Sequence, residues 1–260
     1  MAGKKNNFLV LLIILAAAAA AFWYFFYAAG DQAKIILPGI EAPKEGDSAK
    51  NPEIKTKEIF KQNGNVYLID IEYPEIGIEK IDKDIAGIFS EKSSEFEKES
   101  QPYPTYREDV LNLLTIRYEA SFYKNQAVNY SFSITTDTGG AHPFTDTVTR
   151  VYDLHSGEIV TLEQIFKKDC EYLDKIASSA KNTVISKLAA SQEEASSSVD
   201  TEWVESGAGP SAENYRNFIL GKEGIRFIFP PYQVAPYAIG QVEATVPYQD
   251  LSDCLRPEFK

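Results

Sequence analysis

The chain has 260 residues and a formal net charge of −12 at pH 7, from 26 basic and 38 acidic residues. Lys4 and Lys5 stand before a 22-residue uncharged run, so the part after the run carries 24 basic against 38 acidic residues, a charge of −14. That charge would repel a phosphate backbone, which argues against a nucleic-acid partner and leaves a cationic partner or a solvated surface.

The uncharged run predicts a transmembrane anchor over residues 8–29, FLVLLIILAAAAAAFWYFFYAA. As a helix it would rise about 33 Å, enough to cross the hydrocarbon core of a bilayer. The lysines before it favour the cytoplasm, so residues 1–7 would form a cytoplasmic stub of a single-pass protein of the cell membrane, with the C-terminal part extracytoplasmic. The alternative is a signal peptide cleaved after the small residues Ala28 and Ala29, which would make the protein secreted.

Residues 30–52 predict a flexible linker, because prolines, glycines and charged residues dominate them. A first module is predicted over residues 53–137. It begins with two strands joined at the hairpin signal Asn63-Gly64, and a helix follows. The apolar residues of that helix recur at three- and four-residue steps, which predicts one buried face.

The first module ends with two long strands, LLTIRYEASFYKN and QAVNYSFSITTDT, joined by a turn at residues 124–126. Alternation of apolar and polar residues in both is typical of antiparallel sheet.

A second module is predicted over residues 138–260. It begins with a strand that ends near residue 154, and a turn leads into a further strand over residues 158–162. A helix over residues 171–190 follows, and then a short helix that is capped by Asp200 and contains Trp203. Three strands come last, over residues 214–220, 224–230 and 241–248. We interpret Trp203 as a core residue; the alternative is a platform for a ligand. Strands bracketing isolated helices predict an α+β fold, with helices packed on antiparallel sheets in two successive small units.

The two cysteines, Cys170 and Cys254, are candidates for a disulfide, because an exported location permits one. The alternative is two free thiols, each packed as a small apolar residue. Further ligands for a zinc site are missing beside either cysteine, and no HExxH, GxSxG or Walker pattern occurs. We therefore expect no metal, no cofactor and no catalytic residues.

Two loops supply the candidate ligand-binding residues. The first, TTDTGGAHPF, holds Asp137, His142 and Phe144, and its glycines and proline predict a rigid connection between strands. The second, FPPYQVAPYAIG, holds Tyr232 and Tyr237 among prolines. Rigid, tyrosine-rich loops make good recognition surfaces, because an aromatic ring offers contact area at low entropic cost. The alternative is that these side chains only pack locally.

The blocks TTDTGGAHPFTDTVTRVYDLHSGEIVTLEQIF and GIRFIFPPYQVAPYAIGQVEATVPYQDL, separated by a helix, resemble the family called domain of unknown function 3298. That family includes the extracytoplasmic domain of RsiV-type anti-sigma proteins and a region beside PdaC-type peptidoglycan deacetylase domains. Residues 54–135 are similar to its companion module, numbered 4163. The resemblance implies an exported α+β sensory or binding module, with lysozyme as the partner in RsiV-type proteins. Only a short stub precedes the predicted anchor, so no sigma factor is expected as a partner.

Three functions follow as hypotheses. The first is a non-catalytic, membrane-anchored binding or sensing domain of the bacterial cell envelope, with wall polymer or a cationic secreted protein such as lysozyme as ligand. The second is an envelope hydrolase that uses His142 with Asp137 or Asp146. The third is an assembly or scaffold subunit that uses its sheet edges.

Overall fold

The computed structural model describes residues 51–100, 111–191 and 199–260. All of them belong to one compact unit spanning residues 46–260. The predicted stub, the predicted transmembrane anchor and all but the last two residues of the predicted linker lie outside the described residues. Within the described part, none of the helices is long and apolar enough to cross a membrane.

The first part of the chain forms a five-stranded sheet and one long helix. These elements are β1 (Lys55–Asn63), β2 (Tyr67–Glu75), α1 (Glu79–Ser100), β3 (Asn112–Tyr123), β4 (Ala127–Asp137) and β5 (Phe144–Asp153). The strand order is β1-β2-β3-β4-β5, and every neighbouring pair is antiparallel except β2 with β3. A parallel pair needs a crossover, which here contains α1. The hairpin predicted at Asn63-Gly64 and the turn predicted at residues 124–126 are both confirmed.

Helix α1 buries one face against this sheet. Its fully buried apolar residues are Ile81, Ile85, Phe89 and Phe96, as the spacing predicts. The ring of Phe89 lies 4.8 Å from that of Phe132 on β4. Burial of these side chains stabilises the layer by the apolar area that they remove from water.

In the described residues, the second part forms a three-stranded antiparallel sheet with three α-helices. Its elements are α2 (Leu162–Ile165), α3 (Tyr172–Ser191), α4 (Thr201–Ala208), β6 (Phe218–Leu220), β7 (Gly224–Phe229) and β8 (Val242–Pro247), and the strand order is β6-β7-β8. Helix α3 contacts β8. Asp200 caps α4, since its carboxylate accepts a hydrogen bond from Trp203 N at 3.0 Å. The predicted α+β fold is confirmed.

Two of the predicted strands are wrong: one is absent, and the other is shorter than predicted. Residues 158–162 form no strand: Ile159 makes one isolated bridge to Tyr152. The chain turns into α2 instead, where the side chain of Gln164 accepts a hydrogen bond from Thr161 N at 2.8 Å. The strand predicted over residues 214–220 is only β6, because a 3₁₀ helix occupies Ala212–Tyr215.

The predicted module boundary between residues 137 and 138 falls between β4 and β5. These strands are hydrogen-bonded neighbours in register from Ala127↔Asp153 to Thr136↔Phe144. The five-stranded sheet therefore takes its last strand from the predicted second module.

Buried side chains connect the two sheets. Asn129 on β4 accepts a hydrogen bond from Leu220 N at 2.9 Å and donates one to Leu220 O at 3.1 Å. In the same way, Asn217 donates to Thr147 O at 2.7 Å and accepts from Thr149 N at 3.2 Å. Each amide therefore bonds a neighbouring strand much as a backbone would, and it satisfies groups that burial would otherwise leave unpaired.

Cys170 and Cys254 are joined by a disulfide, with their Cα atoms 5.5 Å apart. Cys254 is fully buried in the core of the second part. Backbone bonds flank the bridge: Lys167 N donates to Cys254 O at 2.9 Å, and Arg256 N donates to Ile165 O at 3.0 Å. The disulfide thus fastens the C-terminal segment to the connection between α2 and α3.

Candidate functional site

The β4–β5 loop and the long segment between β7 and β8 meet at the surface. The imidazole of His142 stacks on the ring of Tyr237, with 3.9 Å between centroids and 17° between planes. The hydroxyl of Tyr237 donates a hydrogen bond to Pro143 O at 2.7 Å. The ring of Tyr232 lies 5.5 Å from that of Tyr237. We call His142, Trp203, Tyr232 and Tyr237 the aromatic cluster.

Trp203 joins this cluster from helix α4. Its indole Nε1 donates a hydrogen bond to Tyr232 O at 3.0 Å, and its side chain is half-buried. The interpretation of Trp203 as a core residue is therefore incomplete, because the indole also holds the backbone of the β7–β8 segment. No local pattern marks this role, since Trp203 and Tyr232 are 29 residues apart.

Tyr232 is presented on a strained backbone. Its φ angle is 72°, a left-handed conformation that is uncommon for a residue with a bulky side chain. Such a residue costs of order 1–3 kcal/mol and persists only where its surroundings hold it. Tyr232 is nevertheless 49 % exposed. Tyr232 therefore combines a strained backbone with an exposed side chain.

Gln233 also holds the strained turn at Tyr232. Its Nε2 donates to Gly207 O at 2.8 Å and to Asn214 O at 2.9 Å. Its backbone N donates to Pro230 O at 3.1 Å. Together with the Trp203 bond, these contacts fix the turn to α4 and to the 3₁₀ helix before β6.

The β4–β5 loop is held by hydrogen bonds among its own residues. The carboxylate of Asp137 accepts a hydrogen bond from Gly139 N at 2.9 Å, and Gly139 has a φ of 77°, which glycine adopts at no steric cost. His142 Nδ1 lies 3.0 Å from Pro143 O, and a carbonyl can only accept, so Nδ1 carries the proton in this contact. Phe144 opens β5 and is 44 % exposed.

The structure thus brings together three of the five predicted binding residues, His142, Tyr232 and Tyr237. Phe144 follows Pro143, the acceptor for Tyr237, while Asp137 bonds the turn of its own loop. Their role in binding stays a prediction. Sequence reasoning did not identify the role of Trp203 and Gln233 in positioning Tyr232.

The hydrolase hypothesis pairs His142 with Asp137 or Asp146. No hydrogen bond links His142 to either carboxylate in the described part of the chain. Burial raises the pKa of the Asp146 carboxyl, while the bond from Thr147 N at 2.8 Å and the charges of Arg216 and Lys92 oppose that shift. Across the same ranges, no group of three or more His, Cys, Asp or Glu residues is placed to hold a metal ion.

Comparison with known proteins identifies the second part of the chain. Residues 163–249 match the family described as "Protein of unknown function (DUF3298)". Residues 163–249 form a DUF3298 domain. That match includes Trp203, Tyr232 and Tyr237 and begins after His142.

Solved structures of DUF3298 proteins share the fold. One from Pseudomonas aeruginosa PAO1 superposes with a TM-score of 0.60 at 14 % identity, over 80 % of this chain and 97 % of that one. One from Bacteroides fragilis gives a TM-score of 0.55 at 20 % identity, over 80 % and 95 %. At these identities the likeness shows the fold alone.

A curated relative extends the similarity beyond the DUF3298 domain. The chain is 25 % identical over 209 residues to peptidoglycan-N-acetylmuramic acid deacetylase PdaC of Bacillus subtilis. That match covers 80 % of this chain and 43 % of the relative, so the chain spans less than half of the relative's length. Since 209 residues exceed the span 163–249, the similarity includes part of the companion region outside the domain.

Gly207 tests how tightly the turn at Tyr232 is held. A Cβ at this position would overlap the backbone carbonyl of Gln233. We expect Gly207→Ala to lower the free energy of unfolding by about 1–3 kcal/mol, the usual range for overpacking, and to displace Tyr232. Gly140→Ala is the matched control, because no atom lies within 4 Å of its added Cβ. Urea unfolding of residues 46–260 measures both, and equal stability of the two variants would contradict this account of the turn.

Proposed function

We propose that this protein is a membrane-anchored, extracytoplasmic binding module of the cell envelope, which holds wall glycan on the aromatic cluster and has no catalytic role. The observation that carries the proposal is the exposed ring of Tyr232, 5.5 Å from Tyr237, on a backbone strained to a φ of 72°. Apolar faces of sugar rings pack well on flat, exposed aromatic rings, and rings held rigid lose little entropy on binding.

The comparisons support the envelope as the location. The relative PdaC is named for chemistry on peptidoglycan, and its similarity over 209 residues includes both described parts of this chain. The predicted anchor at residues 8–29 would keep the cluster at the wall-facing side of the membrane. External protease on intact cells tests this location: a C-terminal tag should be removed, and a tag that is fully shielded would contradict the proposal.

Cosedimentation with purified peptidoglycan tests the binding role. The full-length protein in detergent micelles should sediment with the polymer, and the double variant Tyr232→Gly/Tyr237→Ala should lose affinity by about tenfold or more, given roughly 0.5–1.5 kcal/mol per aromatic contact. Glycine at 232 removes the ring and suits the positive φ, so the fold is retained.

The matched control is Phe60→Ala, which removes an aromatic side chain that is 64 % exposed on β1, away from the cluster. Phe60→Ala should bind as the unaltered protein does. Absence of sedimentation, or equal sedimentation of the double variant, would contradict the proposal.

A cationic secreted protein is the second candidate ligand, favoured by the charge of −14 on residues 30–260. Lysozyme is the probe for it. Retention of lysozyme that falls steeply between low and high salt, together with no sedimentation on peptidoglycan, would favour this candidate over glycan binding.

A further inference from the structure

We infer that a groove beside the aromatic cluster is a second subsite for the same glycan, so that the protein binds a short stretch of polymer rather than one sugar ring. This inference rests on the proposed function. The groove encloses about 360 Å³ between the last turns of α3 and the start of β8. Its lining residues are Lys187, Leu188, Ser191, Ile239, Gln241, Val242 and Glu243.

The groove and the cluster are consecutive along the chain. Tyr237 begins a 3₁₀ helix that ends at Ile239, and Ile239 lines the groove. Gly240, with a φ of 77°, then turns the chain into Gln241 and Glu243. The wall of the groove therefore begins two residues after Tyr237 of the aromatic cluster.

The polar groups of the groove are held in place by a chain of hydrogen bonds. Thr147 Oγ1 donates to Gln241 Oε1 at 2.6 Å, and Gln241 Nε2 donates to Glu243 Oε1 at 2.9 Å. The other carboxylate oxygen of Glu243 lies 3.4 Å from Arg226 Nη1. The amide and the carboxylate are therefore preorganised before any ligand arrives, which lowers the cost of binding.

The chemistry of this lining fits an N-acetylated amino sugar. The carboxylate of Glu243 has lone pairs to accept bonds from hydroxyl groups, and Gln241 Nε2 has a second hydrogen for an acetamido oxygen. Leu188 and Ile239 offer apolar contact to the face of a ring. Few polar groups on a partly apolar wall, at a volume near the lower end of small-molecule sites, suit a short saccharide segment.

The wall of the groove is bonded to the first sheet through Thr147. Thr147 belongs to β5 of the first sheet, whereas Gln241 and Glu243 belong to the segment at the start of β8. The groove wall thus depends on the same β5 strand whose first residue follows the His142 loop.

The dependence of binding affinity on the length of the oligosaccharide tests the inference. The full-length protein in detergent micelles is titrated calorimetrically with N-acetylglucosamine oligomers of two and six units. We expect the hexamer to bind more tightly than the dimer, and Gln241→Ala to weaken the hexamer by about fivefold, the equivalent of one hydrogen bond, without changing the dimer. Glu243→Gln, which keeps the shape but removes the charge, should weaken the hexamer in the same direction.

Gln249→Ala is the control, since Gln249 is exposed and lies outside the groove. Equal affinity for dimer and hexamer, or a hexamer affinity that Tyr237→Ala lowers and Gln241→Ala leaves unchanged, overturns the second subsite while the proposed function stands. Failure of every oligomer to bind, together with no sedimentation on peptidoglycan, overturns the proposed function itself.

Discussion

Replacing both cysteines, as Cys170→Ser/Cys254→Ser, is expected to lower the free energy of unfolding of residues 46–260 by about 4 kcal/mol, because the bridge closes a loop of 84 residues in the unfolded chain. The substitution also destabilises the native state, because Cys254 is buried in the core and a serine hydroxyl there lacks a hydrogen-bond partner. Urea unfolding measures the difference.

Two controls distinguish the effect of losing the disulfide from the effect of a surface change in the same turn. Ser252→Ala changes an exposed neighbour of Cys254 and should leave stability within about 0.5 kcal/mol of the unaltered chain. Unaltered protein under reducing conditions should lose stability in the same direction as the double variant. A double variant as stable as Ser252→Ala would show that the bridge contributes nothing to the fold.

Asn129→Ala is expected to cost about 3 kcal/mol, because it leaves both Leu220 N and Leu220 O buried without a partner, at roughly 1–3 kcal/mol each. The substitution weakens the contact between the two sheets, so the amide hydrogens of β6 should exchange faster than those of β4. Hydrogen exchange and urea unfolding of residues 46–260 together measure this.

Asn125→Ala is the matched control, since Asn125 lies exposed in the β3–β4 turn. Asn129→Asp gives a second check: it keeps the acceptor for Leu220 N but loses the donor to Leu220 O and buries a charge, so it should cost at least as much as alanine. Full stability of both variants at position 129 would mean that the sheets are held together by apolar packing alone.

Local features of the fold could be predicted from the sequence. The Asn63-Gly64 hairpin, the buried face of α1 and the Asp200 cap each depend on residues within a few positions of one another. Periodicity and turn chemistry are sufficient for such elements. The strand predicted over residues 158–162 failed where local signals conflict, because the bond between Gln164 and Thr161 N begins a helix there.

Non-local features could not be predicted. The parallel pairing of β2 with β3 and the placement of β5 in the first sheet are set by packing between distant segments. The same is true of Asn129, whose partner Leu220 is 91 residues away.

The candidate site shows both cases. Its two loops stand out by their glycines, prolines and aromatic residues, which is why His142, Tyr232 and Tyr237 could be named in advance. Their stacking, and the positioning of Tyr232 by Trp203 and Gln233, depends on contacts between α4, the β4–β5 loop and the β7–β8 segment. No single stretch of sequence contains that information.

The most direct test of glycan binding at the aromatic cluster uses Trp203 as a reporter. The chain has two tryptophans, Trp23 and Trp203, so Trp23→Phe leaves an indole that bonds Tyr232 O as the only source of tryptophan emission. Titrating this full-length variant with soluble peptidoglycan fragments should change the emission saturably, and adding Tyr232→Gly should abolish the change while the fold persists. Saturable binding by calorimetry with no change in Trp203 emission, or with the same change after Tyr232→Gly, would place the glycan elsewhere on the protein.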